Sequence, residues 1–278
     1  IPLNDLAMSD STRLSVVEIF KRPQGMLIVT GPTGSGKTTT LYACLSQLRS
    51  ETKNIVTIED PVEYKLEGIT QIQINEMIGC TFATVLRAVL RQDPDIIKIG
   101  EIRDLETAEI AIRASLTGHL VLTTLHTNNT VATITRLMDI GIPTYLINSA
   151  ISGVLAQRLV RRLCDNCKVE SKVPDDLSSI IDHHGLPKLT SHYSSTGCPK
   201  CFNTGYVGRV AVYEYLPMSQ SFKRLISKNV SEEDLLIAAK SDGVNFLFDD
   251  AWNKVKAGIT TAEEVLTKVP LDYYDLRV

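Results

Sequence analysis

Gly31-Pro32-Thr33-Gly34-Ser35-Gly36-Lys37-Thr38 is the stretch that decides the fold. It fits G-x-x-x-x-G-K-[ST], the Walker A phosphate loop. The apolar run Met26-Leu27-Ile28-Val29-Thr30 before it reads as a buried strand, and Thr39 to Leu48 after it carries helix formers with an apolar face. Strand, glycine-rich turn and helix are the context the motif needs. The glycines let the backbone turn sharply and present N–H groups to phosphate oxygens, and the helix N-terminus adds partial positive charge. Lys37 is set to reach the β- and γ-phosphates of ATP, and the Thr38 hydroxyl to hold Mg²⁺.

Outward from the loop the alternation continues. Asn54 to Ile58, Asp95 to Ile99 and His119 to Leu125 read as buried strands, and Gln71 to Ile74 as a shorter one. Phe82 to Arg91 and Leu105 to Leu116 have helical spacing. Strands alternating with helices predict a parallel α/β sheet, with ligands at the carboxyl ends of its strands. Glu59, Glu63, Glu101 and His126 all follow strand ends, so one site can collect them with Lys37. Glu101 closes a Walker B-like strand whose usual acid is replaced by Gly100; a carboxylate there orders the Mg²⁺ shell or aligns the attacking water. Glu59, Asp60 and Glu63 form an acidic cluster around Pro61 that suits metal or water positioning near phosphates. His126 stands at the carboxyl end of its strand, and His119, an odd number of residues away, is expected on the opposite face. Lys98 is an anomaly inside an apolar strand, expected to snorkel or to pair with an acid.

After Pro143 the pattern changes. Tyr145 to Leu163 reads as a long helix carrying Arg158, Arg161 and Arg162 in its last turns, where they complement the helix dipole rather than form a basic patch. Gly208 to Tyr215 alternates like an edge strand, and three short helical stretches, including Asp249 to Lys256, close the chain. The domain reading is therefore 1–20 as a linker or the remnant of an upstream domain, 21–163 as a RecA-like P-loop core, 164–201 as a cysteine module, and 202–278 as a mostly helical subdomain. The first residue is Ile1, which suits a fragment or a processed chain.

Four of the six cysteines form two pairs, Cys164-x-x-Cys167 and Cys198-x-x-Cys201. Two such knuckles suit one tetrahedral, closed, structural Zn²⁺. His183, His184 and His192 lie between the pairs and offer substitute ligands. Cys44 and Cys80 read as packing residues. A net charge of -3 provides no basic excess for nucleic acid. No apolar run reaches the ~18 residues of a membrane span, so direct membrane insertion is not expected.

The order and spacing of four boxes resemble the secretion ATPase superfamily: Gly31–Thr38, Ile58–Tyr64, Arg91–Asp104, and Leu116–His119 with Thr124–Asn128. Its members are motors of type II secretion, type IV pili and competence pseudopili, and the match corresponds to the C-terminal part of a type II secretion or pilus-assembly ATPase. Gln157 to Arg161 also matches, and the tetracysteine module is typical of the secretion and pilus-assembly branch. The resemblance implies that Glu59 and Glu63 are functional acids, Glu101 the catalytic glutamate and His126 a phosphate-sensing histidine. It implies a homohexamer whose N-terminal domain supplies arginines to the neighbour's ATP; no arginine in residues 20–140 is placed by motif spacing at its own γ-phosphate. It further implies a cytoplasmic protein, peripheral to the inner membrane and bound to platform proteins. A nucleic-acid translocase and a non-catalytic zinc scaffold are the competing readings. The absence of a stacking-aromatic groove weighs against the first, and the acids at strand ends against the second.

Overall fold

The computed structural model describes residues 2–228, 230–272 and 274. Its centre is a seven-stranded sheet, mostly parallel. In chain order the strands are β1 (Gly25–Thr30), β2 (Ile55–Glu59), β3 (Thr70–Gln73), β4 (Ile96–Ile99), β5 (Leu120–Leu125), β6 (Ile151–Leu163) and, after the cysteine module, a strand named β9 below (Tyr206–Pro217). Across the sheet they run β3-β2-β4-β5-β1-β6-β9. Only the last pairing, β6 with β9, is antiparallel. β1, β2, β4 and β5 are buried along their whole length, which is why they read as apolar runs rather than as alternations.

Helices cover both faces. On one face lie α1 (Asp10–Phe20) and α2 (Lys37–Leu48), with Val16, Ile19, Leu41 and Leu45 packed on Leu27, Val29 and Leu122. On the other lie α3 (Phe82–Val89), α4 (Leu105–Leu116), α5 (Thr130–Ile140) and α6 (Thr144–Ala150). Local chemistry starts these helices. Thr81 accepts from the Thr84 N–H, Asp104 from the Thr107 N–H and Asn129 from the Ala132 N–H, each satisfying an N–H that the first turn leaves free. α3 then buries Phe82, Val85, Leu86 and Val89, the spacing of a single helical face.

The cysteine module carries β7 (Lys168–Ser171), α7 (Asp175–His183) and β8 (His192–Ser195), with β7 and β8 forming a separate antiparallel pair before the chain re-enters the main sheet as β9. Four helices follow: α8 (Gln220–Ser227), α9 (Glu232–Ser241), α10 (Leu247–Lys256) and α11 (Ala262–Lys268). Trp252 of α10 stacks on Phe248 and donates to the Pro187 carbonyl at 2.7 Å, tying this end to the module.

Leu3, Leu6, Val16 and Ile19, in the stretch read as a linker or the remnant of an upstream domain, are buried in the core. The long helix over Tyr145 to Leu163 stops at Ala150, and the rest is β6. Leucines at 155, 159 and 163 have helical spacing, but the faces alternate. Leu155 and Leu159 pack on the α2 side, whereas Val154 faces the other layer and Ala156 and Val160 pack with α10 and α11. Ladders on both sides, to β1 and β9, hold the extended form. Gly153 leaves room for the Tyr215 ring there: a Cβ would lie 2.6 Å from its hydroxyl, so a larger residue would have to displace it. Among the described residues the final stretch has four helices rather than three, and β9 is the edge strand expected from alternation at 208–215, extended at both ends.

Candidate functional site

β1 ends at Thr30, and the chain turns through the phosphate loop into α2, whose cap Gly36 sits at φ 90°, a conformation that favours glycine. A Cβ at Gly36 would also lie 2.7 Å from Gln157 Nε2. Gln157, on β6, braces the loop: its amide donates to the Ser35 carbonyl at 2.8 Å, and its Oε1 accepts from the Thr40 hydroxyl at 2.7 Å. Lys37 is 9% exposed, and its ammonium donates to the Gly31 and Pro32 carbonyls at 2.8 and 3.1 Å. Burial holds its pKa below the ordinary lysine value, against the opposing charge of Glu101.

The loop opens on a cavity of about 460 Å³ lined by Thr33 to Thr38, Glu59, Asp60, Glu63, Lys98, Glu101, His126 and Arg209. The sheet order explains the gathering: β1, β2, β4 and β5 run parallel, so their carboxyl ends open on the same edge. Thus Lys37, Glu59, Glu63, Glu101 and His126 are brought together as their places after strand ends suggested. His119 is not: its Nδ1 lies 3.0 Å from the Ala114 carbonyl, at the other end of β5.

Glu101 is the centre of a charged set. Its Oε2 lies 3.1 Å from His126 Nε2, and its Oε1 receives the Arg103 guanidinium. Arg103 also reaches Asp60 at 3.5 Å and Glu76 at 3.7 Å. Arg103 is therefore engaged by acids of its own chain. Glu59 is held differently. It is 1% exposed, and its carboxylate accepts from Lys98 Nζ and Tyr42 Oη, both at 2.7 Å, from Thr57 Oγ1 at 2.6 Å and from Gln71 Nε2 at 3.2 Å. Burial acts to raise its pKa, but the Lys98 charge and these donors prevail and hold it below the ordinary carboxylate value.

The loop's residues fit a nucleotide phosphate. The buried Ser35 hydroxyl has no hydrogen-bond partner among the described residues, and Lys37 is satisfied only by carbonyls of the loop itself. The Ser35 hydroxyl can donate to an anion with no bond to displace, and Lys37 uses two of its three N–H donors on those carbonyls and keeps the third for a phosphate.

The four cysteines meet as their spacing predicted. Their sulfurs all lie within 4.8 Å of one another, and Cys164–Cys198, Cys167–Cys201 and Cys198–Cys201 are 3.8, 3.8 and 3.7 Å apart. A tetrahedron with metal–sulfur bonds of about 2.3 Å has edges of about 3.8 Å, so the set has the size for Zn²⁺. The N–H groups of Cys198 and Gly205 point at Cys201 Sγ at 3.2 and 3.3 Å, as donors do to a thiolate. The histidines lie outside the set: His183 and His184 meet edge to face, and His192 approaches Glu263.

The arginines of β6 are not at a helix end, so the dipole reading falls. Arg161 pairs with Glu264 at 2.7 Å and lies over the Tyr206 ring, Arg162 pairs with Asp165, and Arg158 reaches the Asn128 side chain. Sequence reasoning also missed Arg209 at the cavity. No local signal marks it, since β9 reaches the phosphate loop only through its pairing with β6.

A family model described as "Type II/IV secretion system protein" matches residues 1–267. The chain is 48% identical over 264 residues to the type II secretion system protein HxcR of Pseudomonas aeruginosa, covering 95% of this chain and 52% of the relative. It is 47% identical over 268 residues to the type II secretion system ATPase E of Vibrio cholerae, covering 96% and 52%. The crystal structure of the pilus retraction motor PilT with bound ADP superposes with a TM-score of 0.72 at 30% identity, covering 96% of this chain and 66% of that one. The Legionella pneumophila ATPase DotB shares the fold, with a TM-score of 0.66 at 23% identity. The chain spans about half the length of the curated relatives it matches.

Proposed function

The chain belongs to the type II/IV secretion system protein family, and from that premise we propose that it is the ATP-hydrolysing part of a motor that assembles a type II secretion pseudopilus or a type IV pilus. The observation that carries this reading is the cavity that joins the phosphate loop to Glu63, Glu101 and His126. Mg²⁺ bound with ATP supplies charge neutralisation and orients the terminal phosphate. The backbone N–H groups from Gly31 to Thr38 cradle the phosphates, Lys37 neutralises them, and Thr38 offers its hydroxyl to the metal. Glu101 takes up the proton of the attacking water. Its contact with His126 gives that histidine a route by which the state of the phosphate changes the loop before α5. Glu63 stands open at the cavity for the metal's water shell, whereas Glu59, closed in by four donors, orients rather than reacts.

Cys164, Cys167, Cys198 and Cys201 hold a structural Zn²⁺. The protein works as a homohexamer at the cytoplasmic side of the inner membrane, docked on membrane platform proteins, with no nucleic-acid substrate. No helix among the described residues is long and apolar enough to cross a membrane. Two variants test the catalytic reading. Lys37→Ala is expected to abolish ATP binding with the fold retained. Glu101→Gln is expected to bind ATP and to turn it over about 10²–10⁴ times more slowly, the range for a positioned acid–base group. Wild-type affinity in the first or wild-type turnover in the second overturns the assignment.

A further inference from the structure

Lys98 is 4% exposed in the middle of β4, between Thr57 of β2 and Leu122 of β5. A lysine in such a strand is buried only when its charge is matched. Its ammonium lies 2.7 Å from Glu59 Oε2 and 5.5 Å from the Tyr42 ring centroid, and both Lys98 and Glu59 line the nucleotide cavity. Glu59 in turn gathers four elements: Tyr42 of α2, Thr57 of its own strand, Gln71 of β3 and Lys98 of β4. Two buried charges are costly, and an apolar pair of the same volume is often as stable or more so. Packing alone does not call for this arrangement.

We infer that Lys98 is a positioning residue of the nucleotide site, which holds Glu59 in its closed set of donors and cancels its negative charge beneath the phosphate loop. This rests on the nucleotide reading above. The pair leaves the cavity floor neutral, so phosphate affinity is set by the loop and Lys37, and the acids open to metal and water are Glu63 and Glu101. It also ties α2, which begins at Lys37, to the strand β4 that leads into Glu101.

The charge-balance role makes a prediction that packing does not. A carboxylate left unmatched in the cavity repels a polyphosphate in proportion to its charge, and an unmatched ammonium attracts it. Lys98→Met is expected to weaken ATP binding by at least about tenfold, the effect between two single unit charges roughly 10 Å apart at an effective dielectric near 20, and ADP binding by less. Glu59→Gln is expected to tighten both nucleotides, ATP more than ADP. Lys98→Met with Glu59→Gln is expected to return both dissociation constants close to those of the wild type. The measurement is equilibrium titration of ADP and ATP against the four proteins, each shown to be folded by its melting curve. Should Lys98→Met fail to fold, Glu59→Gln carries the test alone, because tighter binding is the opposite of what a packing defect gives. Equal losses for ADP and ATP, no gain in Glu59→Gln, or no restoration in the double variant would overturn the inference. A wild-type chain that binds neither nucleotide would overturn the nucleotide reading and this inference with it.

Discussion

Glu214 of β9 is fully buried, and its carboxylate accepts from the Thr130 N–H at 2.9 Å, from the Thr130 hydroxyl and from the Leu247 N–H at 3.1 Å. One acid thus serves the first turns of both α5 and α10. Burial pushes its pKa up to about 7 despite these three donors, with the charge of Asp272 adding to the effect. A carboxyl in the unfolded chain titrates near ~4.3, so the folded state binds the extra proton between the two values. The stability this group contributes is complete below the unfolded value and is lost as pH rises through the folded one. Melting temperatures should therefore carry a falling component from about pH 4.5 to 7, worth on the order of 3 kcal/mol. Glu214→Gln should lose that slope and sit lower at acid pH, because its NH₂ group cannot accept from both backbone donors. Parallel slopes for the two proteins between pH 5 and 7 would show that Glu214 does not titrate in this range.

The element whose reading changed most is β6. Its composition, with leucine, glutamine and arginine, suits a helix, and only its two neighbours make it a strand. The change matters because β6 carries Gln157 to the phosphate loop and, through Leu163, leads straight into Cys164. The module hangs from the β6–β9 ribbon rather than from a flexible tether; its four cysteines form one packing unit, while Leu177, Ile181 and Leu186 pack with α10 and α11. Metal binding at such a set is folding energy for the segment it closes. Elemental analysis should find one zinc per chain, and Cys198→Ser should release it. That variant should expose residues 164–201 to protease while ADP affinity stays within about twofold, since the sheet has its own cores. A metal-free wild-type protein with an unchanged melting curve would contradict the zinc assignment.

At the scale of the whole molecule the cavity supplies loop, acids and histidine from one chain, with Arg103 engaged by Glu101 and Arg209 contributed by β9. An arginine delivered to phosphoryl transfer is worth about 10³–10⁵ in rate. If neighbours deliver it, specific ATPase activity should climb with protein concentration and climb further when a fused ring-forming tag imposes a hexamer. High activity that stays flat with dilution, from a monomer by light scattering, would place the complete site within one subunit. The sequence by itself determined what short-range chemistry determines: the phosphate loop between its strand and helix, the buried parallel strands with acids at their ends, and the paired cysteines. In each, residues a few positions apart fix the local geometry. The tertiary structure decided the strand state of β6, the packing of residues 3–20, the Lys98–Glu59 pair, the double cap at Glu214 and the approach of Arg209. In all of these the deciding partner lies far along the chain. A ladder, a buried counter-ion or a free N–H acts on a residue only once the sheet has brought the two together.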